Sequence, residues 1–119
     1  MKKLLVPFVV SVLSLPAMAA QMECMIDTGN LDTWQVGECM SFDYTLDRVR
    51  KNAIWRITGT TKPFSSVLWS QAGTGCSSNS LYCQKPISPY VLHTAKATVL
   101  YTDGTWEALE ATASFETGF

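Results

Sequence analysis

Few residues in this 119-residue chain have the type and spacing to do chemistry, and the most conspicuous are its four cysteines, Cys24, Cys39, Cys76 and Cys83. An even cysteine count in an exported chain points to disulfides. Of the three pairings that four cysteines allow, Cys24–Cys39 with Cys76–Cys83 is favoured because each bridge closes a local loop. A loop of about 15 residues would add roughly 3 kcal/mol by restricting the unfolded chain. A zinc site is disfavoured, since there is no Cys-x-x-Cys pair and His93 is the only histidine. His93 is also the only imidazole base for a nucleophilic triad, and no Gly-x-Ser-x-Gly elbow accompanies it. Asp27, Asp32, Glu38, Asp43 and Asp47 could supply an acid/base pair for glycoside hydrolysis. Their scatter through loop segments fits solvated carboxylates better. The run Asp27-Thr28-Gly29-Asn30-Leu31-Asp32 sets three oxygen side chains near a glycine, as calcium loops do, but it lacks the EF-hand spacing and closing glutamate. Turn chemistry accounts for it equally well. No catalytic residue, cofactor or metal is assigned.

The remaining candidates are aromatic. Four tryptophans are many for so small a chain, and indoles either fill cores or serve as stacking platforms for sugars and anchors for protein partners. Trp55 and Trp69 lie in β-type segments and are expected in the core. Trp34 lies in a polar loop, and Trp106 alternates away from the apolar set of its segment, so these two form the candidate ligand surface. The short ring closed by Cys76 and Cys83 would carry Ser77 to Tyr82 as a rigid loop, the way protease inhibitors present theirs.

These groups are positioned by an exported domain. Met1-Lys2-Lys3, the apolar stretch Leu4 to Leu15 and the small-residue end Pro16-Ala17-Met18-Ala19 form the three parts of a secretory signal. Residues 1–19 are therefore read as a signal peptide cleaved near Ala19 or Ala20, and residues 20–119 as a single disulfide-stapled domain. The apolar stretch is shorter than the roughly 20 residues of a membrane span, so no span is expected in the mature chain. The short Lys-Lys start and Ala-rich end look bacterial, giving a periplasmic or secreted location. Removing Lys2 and Lys3 leaves seven basic against ten acidic residues. That balance argues against nucleic acid, which demands a basic face. The densest positive run, Arg48, Arg50, Lys51 and Arg56, reads as a solvated loop and strand face.

Within the domain, Met22 to Ile26 and Cys39 to Tyr44 are short apolar segments separated by turn residues. Ala53 to Thr58 and Val67 to Ser70 are β-type segments separated by Gly59 to Phe64 and are expected to pair as a hairpin. Tyr44 to Asn52 is either a loop or a single helical turn built on Leu46 and Val49. Gln71 to Ser80 is an exposed loop, and Pro86 and Pro89 confine Ile87-Ser88 to an edge strand or connector.

The best-defined element is a C-terminal hairpin in which Thr94 to Thr102 and Thr105 to Glu116 flank Asp103-Gly104. A strict two-residue turn would put the apolar sets Ala95, Ala97, Val99, Tyr101 and Leu109, Ala111, Ala113, Phe115 on opposite faces. A three-residue loop with Gly104 left-handed pairs Tyr101 with Thr105 and brings both sets to the core. Their small side chains require bulky partners opposite, for which Trp55 and Trp69 are the candidates.

Six or seven short strands without helical periodicity indicate an all-β fold, a small antiparallel β-sandwich. Ile54-Trp55-Arg56-Ile57, Val67-Leu68-Trp69 and Ala97 to Thr105 resemble the strand pattern of bacterial immunoglobulin-like (PKD-like) domains. Antibody-type domains join their sheets through a cysteine pair beside the strand tryptophan, whereas the late strand here carries no cysteine. The resemblance implies a non-enzymatic binding or structural module of the envelope or medium. Its partner would be a protein or glycan, with a carbohydrate-binding module, a protease inhibitor and a small hydrolase as the alternatives.

Overall fold

The computed structural model of the chain describes residues 19–29, 32–44 and 50–118. Residues 1–18, which hold nearly all of the expected signal peptide, lie outside the described residues, as do Leu46, Asp47, Arg48 and Val49. Every regular element among the described residues is a strand: β1 (Gln21–Asp27), β2 (Gln35–Val36), β3 (Glu38–Asp43), β4 (Lys51–Thr58), β5 (Phe64–Gln71), β6 (Tyr82–Ile87), β7 (His93–Tyr101) and β8 (Trp106–Thr117). They form two sheets in the orders β2-β1-β4-β6 and β3-β8-β7-β5. The result is a small β-sandwich whose strand order is compatible with an immunoglobulin-like fold.

The core follows from alternation. Strand side chains point to opposite faces in turn, so β1 buries Met22, Cys24 and Ile26, β4 buries Ala53, Trp55 and Ile57, and β7 buries Ala95, Ala97, Val99 and Tyr101. β8 adds Ala111, Ala113 and Phe115. The alanines leave room for one bulky group, and Trp55 of the first sheet fills it. Its indole is wholly buried, and Nε1 donates to the Ala111 carbonyl of the second sheet at 3.0 Å. That bond satisfies the polar atom that burying a tryptophan would otherwise strand.

Both disulfides have the pairing expected from loop length, Cys24–Cys39 and Cys76–Cys83. The first runs from β1 to β3 and so ties one sheet to the other. Cys24, Trp55 and Cys83 are register neighbours across β1, β4 and β6, which places a bridged cysteine on each side of the core tryptophan. Two disulfides suit an oxidising compartment, periplasmic or extracellular. No helix among the described residues is long and apolar enough to cross a membrane.

The C-terminal hairpin has the bulged turn that parity required. Gly104 N–H donates to Tyr101 O at 3.0 Å, Tyr101 N–H donates to Thr105 O at 2.9 Å, and Gly104 has φ +91°. Leu100 then pairs with Trp106 and Ala95 with Ala111, so both apolar sets face inward. β6 is an edge strand, and Pro86 lies in it.

Three expectations are corrected. β4 and β5 do not form a hairpin: they belong to different sheets, and Gly59 to Pro63 carries the chain across the end of the sandwich. Trp69 therefore sits in the same sheet as the hairpin, paired with Ala97. It is half-buried, with Nε1 donating to the Ser80 carbonyl at 3.3 Å and its ring over Gly73, where a Cβ would come within 3.0 Å. Finally, the sandwich is not wholly antiparallel, because β3 runs parallel to β8. Gly37 is the reason. Its N–H donates to Met22 O in the first sheet and its carbonyl accepts from Thr112 N–H in the second, both at 3.0 Å. At φ +78°, a left-handed value glycine adopts without a steric penalty, the chain switches sheets with no hairpin and arrives alongside β8 in the same direction.

Candidate ligand surface

Three of the groups considered for catalysis, His93, Asp32 and Asp43, are held in structural roles. His93 Nε2 accepts the Ser88 N–H at 3.3 Å, closing the bend that precedes β7. Asp32 accepts from the Thr28 and Gly29 amides at 3.1 and 3.0 Å and from the Thr28 hydroxyl at 3.2 Å. Burial works to raise its pKa, but these hydrogen bonds outweigh it and hold the carboxyl below its usual value. Its oxygens thus fasten the turn after β1. Asp43 is fully buried at the end of β3, where Lys51 Nζ lies 3.2 Å away. Among the described residues no group of three or more His, Cys, Asp or Glu side chains could hold a metal ion.

The two candidate tryptophans lie on opposite outer faces of the sandwich. On the first sheet, Glu23, Arg56 and Tyr82 form one outward row across β1, β4 and β6. Arg56 Nε donates to Glu23 Oε1 at 2.7 Å, and its guanidinium carbon lies 3.8 Å from the centre of the Trp34 ring. Trp34 is half-buried beneath this cation. The loop indole is thereby pinned to the sheet by a cation–π contact.

On the second sheet, Trp106 is 63% exposed. Its outward row continues through Leu100 to Ser66, and the next row runs Ala108, Thr98, Leu68. Leu68 is itself 54% exposed. A third row holds Glu110, Lys96 and Ser70, with Lys96 Nζ 3.8 Å from Glu110 Oε1. An open depression of about 330 Å³ on this face is lined by Ser70, Lys96, Thr98, Ala108 and Glu110 among others. Parity along β8 identified Trp106. Leu68 and Leu100 were missed because each sits in an apolar run, Val67-Leu68-Trp69 and Val99-Leu100-Tyr101, in which the outward member looks like another core residue.

The Cys76–Cys83 loop lies along the sandwich rather than projecting from it. The Ser78 carbonyl accepts from Val67 N–H of β5 and the Leu81 carbonyl from Ile57 N–H of β4, both at 2.9 Å. The segment therefore joins edge strand β5 of one sheet to the other sheet and closes that side of the core.

The chain matches no protein-family model, and no curated protein or solved structure is significantly similar to it.

Proposed function

We propose that the chain is an exported, non-enzymatic binding module of the bacterial envelope or medium, and that it binds through the outer face of the β3-β8-β7-β5 sheet. The resemblance to bacterial immunoglobulin-like (PKD-like) domains and the signal-like N-terminus support the setting. The observation that carries the binding reading is Trp106, a mostly exposed indole held on the β7–β8 ladder opposite Leu100, with the exposed Leu68 of β5 in the next row of the same face. A glycan is the ligand class this face fits best. An exposed indole plane stacks on the apolar face of a sugar ring, and the neighbouring Thr98, Ser66, Ser70 and Lys96–Glu110 supply donors and acceptors for its hydroxyls.

The test is a glycan screen on the mature, oxidised protein, followed by titration calorimetry of any hit against Trp106→Ala and, separately, Trp34→Ala. The reading expects Trp106→Ala to weaken binding at least tenfold, about 1.4 kcal/mol, with Trp34→Ala near wild type. Equal affinity of the wild type and Trp106→Ala would remove this face from the site.

A further inference from the structure

Just before β1, a buried backbone nitrogen faces a carboxylate of the opposite sheet. Ala20 is 6% exposed, and its backbone nitrogen lies 3.2 and 3.4 Å from the two carboxylate oxygens of Glu107, on β8 in the opposite sheet. The Tyr101 hydroxyl of β7 donates to the same carboxylate. Burial and then Glu107 push the Tyr101 phenol up to about 12, so it remains a donor at every physiological pH. The other charged groups around Tyr101 are Lys62, 4.8 Å from its ring centre on the β4–β5 connection, and Asp103 of the hairpin turn, which Lys62 meets at 3.0 Å. They are engaged with each other. Glu107 is thus a carboxylate held in place by a tyrosine and aimed with both oxygens at one nitrogen, a geometry suited to a cation.

We infer that Ala20 is the first residue of the mature protein and that Glu107 receives its α-ammonium. The inference rests on reading residues 1–19 as a signal peptide. Hydrolysis of the Ala19–Ala20 bond by an export peptidase consumes one water, leaves a carboxylate on Ala19 and frees an amine on Ala20 that takes up a proton at neutral pH. The geometry selects this bond over the next one. Cleavage after Ala20 would start the chain at Gln21, moving the amine roughly 3.3 Å along the strand and away from Glu107. It also orders the events: the Ala19 carbonyl lies against Gly59, 3.3 Å from where a Cβ would stand, and Ala20 is buried in the folded domain. Cleavage precedes docking of β1, and the new terminus then fastens β1 to the far sheet as the domain closes.

A carboxylate partner raises the pKa of the amine above the ordinary value of about 8. The sign follows: stability from the pair is full below the unfolded pKa and is lost as pH rises through the folded one.

The experiment is to express the full chain with export and measure the intact mass of the purified product. The rate of α-amine acylation is then followed against pH for the wild type and Glu107→Gln. The expected product begins at Ala20, and its amine reacts about tenfold more slowly at pH 7 than that of Glu107→Gln, the effect of one pKa unit. Should Glu107→Gln not fold, acetylating the wild-type α-amine is the second test. It is expected to lower the melting temperature at pH 7 and to have little effect above pH 10, where the amine is neutral in either case. A product beginning at Gln21 or later, or an Ala20 amine that reacts like an exposed one, overturns the pairing while leaving export intact. An uncleaved product overturns both.

Discussion

The two outer faces of the sandwich carry similar residues and use them differently. On the first sheet Trp34, Arg56, Glu23 and Tyr82 are engaged with one another: the guanidinium covers the indole and the carboxylate holds the guanidinium. On the second sheet Trp106 faces Leu100, Leu68 stands in the next row on β5, and a weak Lys96–Glu110 pair lies farther along the same face. An indole stacked under a cation has its apolar plane occupied, whereas an uncovered one has its plane available to a ligand. Residue type is therefore not what distinguishes a covered tryptophan from an open one. Its neighbours across the sheet decide that.

The largest effect comes from breaking what holds the faces together. Trp55→Ala removes the indole that fills the space above Ala111 and leaves a cavity between the sheets, so it should cost about 3–5 kcal/mol in denaturant unfolding and abolish any function of either face. Full stability in this variant would break the picture of two faces on one shared core. Next in size, Trp106→Ala should leave the unfolding midpoint within about 0.5 kcal/mol of wild type while weakening ligand binding as described above. A marked loss of stability would make Trp106 a packing residue like Trp34. Trp34→Ala should do the reverse, lowering stability by about 1 kcal/mol through the lost stack with ligand affinity retained. Arg56→Ala should shift Trp34 fluorescence to the red by uncovering the ring, and unchanged emission would mean that the guanidinium does not cover it in solution.

The smallest expected effect is a pH dependence at the edge of the open face. Hydrogen bonds from the Thr105 hydroxyl and amide, together with Lys62, lower the Asp103 pKa to about 2. A depressed carboxyl contributes stability above its unfolded pKa and loses it as pH falls through the folded one. Melting temperature should therefore decline between about pH 4 and 2, and Asp103→Asn should flatten part of that decline. An identical acid profile for the variant would show that this turn does not stiffen the Trp106 hairpin.

Much of the local architecture was legible because strands obey a period of two. Parity of Ala95 to Tyr101 against Leu109 to Phe115 was enough to require a bulged turn at Gly104, since any other register places one apolar set in water. The disulfide pairing was legible from loop length, and Trp55 as a core residue from its β-branched neighbours. Three features had no local signature. Whether Ala53 to Thr58 pairs with Val67 to Ser70 or crosses to another sheet depends on partners distant in sequence. The same is true of the parallel match between β3 and β8, although Gly37 marks the switch in hindsight. Trp34 and Trp106 looked like members of one surface because the sequence holds no information on which side of a sandwich each will occupy.

By itself, then, the sequence determined which residues alternate inward, where the chain turns and which cysteines are near enough to close small loops, all consequences of backbone geometry over a few residues. Only the tertiary structure decided which strands share a sheet, which tryptophan is covered, and that Glu107 meets the nitrogen of Ala20. Each of these joins residues far apart in the chain, and such contacts form only when both sheets close over the same core.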